Sequence, residues 1–492
     1  MKSSREPDPD PAGVLPSSQR KHLEISGSLK QSGFGLRICK DPICEDFDLF
    51  YPDEIWENFP EGNKKQLLDN LAFSFTAHLP LLKGEDLDLK YDTSQPMVSS
   101  WIYNLFLRFL PTYRHLYEER AEGELLYVLR RMLTSDISFA ENEDMGGLDF
   151  FETDERNVIV PFTFGKDSLL TYCVAKEIGL RPIPVCFYEP TEKYSKRHKL
   201  ELIENFEKDF GEKIYFVDNG FANLRAGDDG WFGWESTLTT YALMSLPFAY
   251  SNGARYIIFS NEISCNDYFY DDRALKVMFD YEQSDLATGD LSALIRALTN
   301  GKVGCANFLQ GLYEIAIIGI LKNNFGKYLK YLMSCWADNS GATKCRWCQE
   351  CSKCGRIFLF LAANGIDPQE QAGFSDNLFE EKYLSLFNIF SNYSGGSISG
   401  STKGVTYDSI GINRDEQLLA FYLAYRRGFK GYAIDEFAKS KLVKEAEVRF
   451  VELIDKYYGF KESGMIPKFC RDDVNNLFKN SLSRSLSAIR AL

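Results

Sequence analysis

The sequence predicts an α/β protein centred on a parallel sheet, preceded by an α+β domain and followed by a helical cap. Three observations lead there. Between residues 157 and 260, short β-branched and aromatic runs alternate with amphipathic helical stretches, the order that builds right-handed βαβ units. The first run, at 157–162, empties at once into the turn Thr163-Phe164-Gly165-Lys166-Asp167-Ser168 and then into a helix. Beyond Pro368, strand signals give way to helical periodicity.

At 492 residues the chain exceeds what one hydrophobic core supports, and at about 150 residues per domain it should hold two or three domains. The boundaries read from the sequence are a tail at 1–22, an α+β domain at 23–150, a sheet domain at 151–366 and a helical region at 367–492. The tail is polar and Pro-rich, lacks the apolar stretch of a secretory signal, and reads as disordered. No run approaches the ~20 apolar residues of a membrane span, so no membrane partner is expected. The formal net charge of −14 argues against a nucleic-acid partner, which requires a basic face. Twelve cysteines without a signal point to a reducing compartment, where clustered thiols hold metals more often than disulfides. The expected location is cytoplasmic.

Within 23–150, residues 23–29, 34–38 and 47–51 are strand candidates, while 66–82, 101–109 and 124–133 read as helices. His78 and His115 lie here, and isolated histidines of this kind read as packed side chains. In the sheet domain the strands are 157–162, 183–187, 214–217 and 255–260. The helices are 169–178, 194–210 and 236–250, the last interrupted near Pro247. Ligands in such sheets meet the carboxyl ends of the strands, which directs attention to 163–168, 187–190, 218–220 and 260–266.

The turn after the first strand is built to hold an anion. A helix N-terminus offers unpaired N–H groups and the positive end of the dipole. Thr163 and Ser168 add hydroxyls, Lys166 a cation and Asp167 a carboxylate, a set suited to nucleotide phosphate with magnesium. The spacing is not that of a Walker loop. Alone, the hexapeptide also fits an ordinary strand-to-helix turn.

Asn261, Glu262, Cys265 and Asn266 follow the fourth strand directly, with Glu282, Gln283 and Ser284 further on. Polar groups this dense beside a buried strand meet a ligand, one another or solvent. Asn261, Asn266, Gln283 and Ser284 suit substrate binding. Glu262, Cys265 and Glu282, together with Lys302 and Cys305, are the candidate proton-transfer groups by position.

Cys335 precedes the array Cys345-x2-Cys348-x2-Cys351-x2-Cys354. Zinc takes four thiolates in a tetrahedron, and CxxC knuckles supply them from tight turns. Five cysteines compete for four positions. An all-sulfur site is closed and therefore structural, and it should pin a loop against the sheet domain. Further on, 379–390, 417–424, 435–458 and 472–492 read as helices, and 395–404 as a flexible Gly/Ser-rich loop.

The turn resembles the SGGxDS loop of the PP-loop (N-type) ATP pyrophosphatases, which split ATP to AMP and pyrophosphate and adenylate a substrate. That likeness makes 163–168 the nucleotide-binding residues, with Lys166 and Asp167 catalytic. Phe164 stands where that family has its first glycine, a position where a side chain makes φ > 0 costly. A PP-loop followed by a cysteine array is also the layout of 7-cyano-7-deazaguanine synthase, whose zinc ligands are a lone Cys and then CxxCxxC. That layout implies Cys335, Cys348, Cys351 and Cys354, leaving Cys345 over, and offers adenylation of a deazaguanine carboxylate as an alternative reaction.

A closer resemblance is to the UDP-N-acetylmuramoyl-L-alanyl-L-glutamate epimerase family. It is carried by residues 165–170, 260–266, Gln283-Ser284, Ser334-Cys335 and 347–354, and weakly by 71–82. The resemblance implies an adenine nucleotide α-hydrolase-like PP-loop fold, with ATP, Mg²⁺ and structural Zn²⁺. It also implies adenylation and epimerisation of a terminal L-glutamate in peptidoglycan precursor synthesis. The chain departs from the family at Ser409-Ile410-Gly411, before Asp415-Glu416, where the family has a cysteine in a segment reading roughly CVG.

Overall fold

The computed structural model describes residues 20–82, 86–116, 123–140, 147–150, 152–190, 193–225, 232–390 and 413–492. The tail apart from its last three residues, the 395–404 loop and Ser409-Ile410-Gly411 lie outside the described residues.

Twelve strands run among the described residues: β1 (Lys21–Lys30), β2 (Gly33–Lys40), β3 (Ile43–Phe50), β4 (Leu87–Tyr91), β5 (Ile137–Ser138), β6 (Asp154–Pro161), β7 (Arg181–Tyr188), β8 (Tyr215–Asn219), β9 (Ala254–Phe259), β10 (Phe269–Tyr270), β11 (Lys276–Val277) and β12 (Gly304–Asn307). Ten form one mostly parallel sheet in the order β12-β9-β6-β7-β8-β3-β2-β1-β4-β5, and β10 pairs with β11. From β12 to β8 every pairing is parallel. β3 then joins antiparallel, placing Leu49 and Phe50 opposite Asn219 and Asp218. The N-terminal strands thus extend the central sheet.

Counted along the chain, the five parallel strands lie in the order 5-4-1-2-3. The connections from β6 and from β9 therefore leave toward opposite edges, and a crevice opens at the carboxyl ends of these two neighbours. Into it run the 163–168 turn and the 260–266 stretch.

Side chains of a strand alternate between faces, and here the alternation divides two cores. Val158, Val160, Cys186, Ile258 and Ala306 enter one apolar cluster; Ile159, Val185, Phe187, Ile257, Phe259 and Cys305 enter the other. The first is covered by the helices Lys166–Glu177, Ser195–Phe210, Glu314–Phe325 and Ser352–Ala363 and by the C-terminal helices. The second is covered by Glu61–Thr76, Ser99–Leu116, Thr237–Met244, Leu246–Asn252 and Asp285–Leu298. A sheet buried on both faces explains why its strands read as unbroken apolar runs.

Two C-terminal expectations are corrected. Residues 379–390 form two 3₁₀ turns, Glu381–Leu386 and Asn388–Phe390, because Phe379, Phe387 and Phe390 each seat their rings against Phe421. The single helix expected over 435–458 is two, Tyr432–Lys439 and Lys441–Tyr457, divided where the Ser440 hydroxyl accepts from the Leu442 N–H. No helix among the described residues is long and apolar enough to cross a membrane.

Candidate functional site

The turn after β6 adopts the conformation its sequence resists. Phe164 has φ 60, the left-handed region that costs a side-chain-bearing residue about 1–2 kcal/mol. Its ring is fully buried, 4.8 Å from Phe162 and 6.1 Å from Phe206. Burial of that ring, of the order of 2–3 kcal/mol, offsets the strain. The ring therefore points into the core beneath the sheet, leaving the turn open above.

Hydroxyls hold the turn's shape. Ser168 Oγ accepts from the Thr163 N–H at 3.2 Å and donates to the Gly165 carbonyl at 3.2 Å. The Lys166 N–H donates to Ser334 Oγ at 3.2 Å, and the Met333 N–H to the Phe164 carbonyl at 2.8 Å. The turn is thus sewn to the segment that leads into Cys335.

Lys166 is almost wholly buried. Its ammonium lies 2.7 Å from the Asp167 carboxylate and 2.7 Å from Glu314 Oε2. The second oxygen of Glu314 lies 2.8 Å from Arg356 Nη1. Burial pushes Glu314 up, but Arg356 and Lys166 outweigh it and hold its carboxyl below the usual range. Around this charged bridge stand further acids. Glu416 accepts from the Ile315 N–H at 3.0 Å, and burial followed by the Glu314 charge pushes it up to about 8. Burial and Glu314 likewise raise Glu262, and burial raises Asp280.

The candidates after β9 divide. Glu262, Cys265 and Gln283 come together: Cys265 Sγ is 3.8 Å from Glu262 Oε1 and 3.8 Å from Gln283 Oε1. Glu262 also accepts from the N–H and hydroxyl of Ser264. Asn261, Asn266 and Ser284 are taken up by the fold. The Asn261 side-chain amide donates to Thr288 Oγ1 at 3.4 Å, Asn266 Oδ1 accepts from the Asp285 N–H, and Ser284 caps the helix Asp285–Leu298. Glu282 turns away and accepts from the Leu238 N–H at 3.1 Å. Lys302 pairs with Glu152 at the sheet's other end, and Cys305 faces the opposite core. His78 and His115 are packed, the first against the Leu224 carbonyl and the second against the rings of Phe269 and Phe279.

The sulfur atoms of Cys335, Cys348, Cys351 and Cys354 lie within 4.8 Å of one another. Cys348 and Cys354 are 3.8 Å apart, which matches the edge of a tetrahedron with metal–sulfur bonds of about 2.3 Å. N–H groups of Ala337 and Cys348 donate to Cys335 Sγ, and those of Gln349 and Cys354 to Cys354 Sγ and Cys351 Sγ, the donors a thiolate cluster requires. These four could hold a metal ion such as zinc. Cys345 stands outside, its Sγ 3.0 Å from the Trp347 carbonyl.

Above the turn lies a cleft of about 290 Å³. Thr163, Gly165, Lys166 and Asp167 form one wall, and Ser334, Cys335 and Trp336 with Lys353 and Arg356 form a second. Phe187, Glu189, Trp234 and Tyr241 close the third side, where Arg225 and the Tyr241 hydroxyl both hold Glu189, at 2.9 and 3.0 Å. Comparison of the sequence with protein-family models and with curated proteins finds no match.

Sequence reasoning misses Glu314, Lys353 and Arg356 and names Glu416 only as a landmark after Ser409-Ile410-Gly411. A signal for three of them is present. Glu314, Arg356 and Glu416 are charges set in mostly apolar helical stretches, EIAIIGIL, GRIFLFLAA and EQLLAFYLA. A charge in a helix that is apolar all round is buried, and a buried charge is paired.

Proposed function

We propose that this chain is a PP-loop ATP pyrophosphatase that adenylates a carboxylate, and that its substrate is the terminal L-glutamate of UDP-N-acetylmuramoyl-L-alanyl-L-glutamate, which it epimerises. One observation carries the nucleotide half. A turn bearing Thr163, Lys166, Asp167 and Ser168 opens at the sheet's switch point into a cleft that Lys353 and Arg356 also line. The epimerase half is supported by the sequence resemblance and by the Glu262–Cys265–Gln283 group beside the Glu314 bridge.

In this reading a substrate carboxylate oxygen attacks the α-phosphorus of ATP, and the bond to the bridging oxygen breaks to release pyrophosphate. Lys166 and the cations of the second wall stabilise the charge gathering on the leaving group. Asp167, whose oxygens meet the Lys166 ammonium at 2.8 and 2.7 Å, is the residue that would hold magnesium, and the ion would neutralise part of the same charge. The acyl adenylate then acidifies the α-carbon, since its anion delocalises into an enolate and no longer adjoins a carboxylate. A proton leaves that carbon and returns on the other face, and water attack on the acyl carbon releases AMP. Glu262 and Cys265, at 3.8 Å, are too close to flank a carbon, so they take the proton from one face as a single relay, and solvent water delivers the proton that returns on the other. In this reading zinc on the four cysteines would serve structure, and the chain would work in the cytoplasm.

Incubation with ATP, Mg²⁺ and the muramoyl dipeptide in D₂O is expected to yield pyrophosphate and a product deuterated at the glutamate α-carbon. Pyrophosphate release without deuterium overturns the epimerase half. Turnover of a deazaguanine carboxylate with ammonia, and none of the dipeptide, replaces it with the synthase reading.

A further inference from the structure

We propose that the cleft is a two-jawed clamp for the pyrophosphate half of a nucleotide, that Lys353 and Arg356 form its second jaw, and that the four-cysteine cluster sets where that jaw stands. The inference rests on the adenylation reading above. The first jaw is the 163–168 turn with Lys166. The second reaches the same cleft from the helix Ser352–Ala363.

That helix starts inside the cysteine array. Cys351 is its N-cap and accepts from the Cys354 N–H, so Lys353 falls between two cluster thiols and Arg356 just beyond them. The other wall segment is built in the same way: Trp336 follows Cys335 directly, and the Lys353 ammonium stands 4.0 Å over its ring. The stretches that supply Cys335 and the Cys351–Cys354 pair therefore also supply cleft residues. A closed tetrahedral metal fixes such stretches against one another without offering a position to substrate.

The two jaws are joined underneath. Glu314 takes Lys166 on one oxygen at 2.7 Å and Arg356 on the other at 2.8 Å, so one buried carboxylate spaces a cation from each jaw. Pyrophosphate is a polyanion, and charge grows on it as the α–β bond breaks. Cations fixed on two sides of it in advance stabilise that state without reorganising. Arginine's planar fork adds two-point recognition of phosphate oxygens, and lysine a point charge.

The test uses the full chain with its metal and inorganic pyrophosphate as the probe, with binding followed by calorimetry. Lys353→Ala and Arg356→Ala are each expected to bind pyrophosphate about tenfold more weakly, the loss of one charge-assisted contact, with metal content close to wild type; Lys353→Ala keeps the wild-type melting temperature, whereas Arg356→Ala, which takes one cation from Glu314, lowers it. Removing the metal with a chelator is expected to weaken binding at least as much, and returning zinc to restore it. If wild-type chain releases pyrophosphate from ATP while both variants and the metal-free chain bind it as tightly as wild type, the clamp is overturned and the adenylation reading stands. A wild-type chain that neither releases nor binds pyrophosphate overturns both.

Discussion

Lys166 and Glu314 meet at 2.7 Å with each side chain only 6% exposed, one at the head of the helix after β6 and the other at the head of the helix after β12. Glu314 serves two cations at once, because Arg356 holds its second oxygen. The two residues are therefore not equivalent. Glu314→Leu leaves buried Lys166 and largely buried Arg356 without their shared anion, and the expected cost is about 3–5 kcal/mol. Lys166→Met leaves Glu314 paired with Arg356, for an expected cost of about 1–3 kcal/mol. Urea denaturation of the two variants measures the difference, and equal costs would contradict the bridge.

Phe164 sets strain against burial. Phe164→Ala loses the ring and keeps a Cβ at φ 60, for an expected loss of about 3–5 kcal/mol. Phe164→Gly loses the same ring but relieves the backbone, so it should be the more stable of the two by about 1 kcal/mol. Denaturation midpoints that place the glycine variant below the alanine variant would show that the turn carries no such strain.

The buried acids give a pH dependence whose sign is fixed. Burial, partly opposed by the Leu238 N–H, pushes Glu282 up to about 8, well above the unfolded value of about 4.3. The folded chain then holds a proton that the unfolded chain has lost. This group's contribution is fully present below pH of about 4.3 and is lost as pH rises toward 8. Glu282→Gln removes that dependence, so its stability relative to wild type should improve between pH 5.5 and pH 8 by an amount on the order of 3 kcal/mol. A variant whose offset from wild type is the same at both values would mean that Glu282 titrates normally.

The cysteine assignment separates neighbours. Cys345→Ser should retain the metal, because its sulfur faces the Trp347 carbonyl. Cys351→Ser should lose metal and stability together, because it opens a closed site. Metal per chain, measured by elemental analysis, decides between them. Loss of metal from Cys345→Ser would move the site.

Much of the sheet is legible in the sequence because its strands are buried on both faces, and β6, β7, β8 and β9 announce themselves as apolar runs. β12 does not: Gly304-Cys305-Ala306-Asn307 is short and lacks β-branched or aromatic residues. The turn and the cysteines are legible because their chemistry is local, packed into a few consecutive residues. The Glu314 bridge is not, since it joins residues from three distant helices, and only the fold brings them together. The same reason turns Asn266 and Ser284, polar and suggestively placed, into a loop brace and a helix cap.

The most direct test of the central claim is the identity of the nucleotide products formed from ATP by the purified chain with Mg²⁺ and the muramoyl dipeptide. Cleavage at the α–β bond predicts AMP and pyrophosphate in equal amounts, both abolished in Asp167→Ala while its melting temperature stays near wild type. ADP and phosphate, or AMP and pyrophosphate formed undiminished by Asp167→Ala, would contradict it.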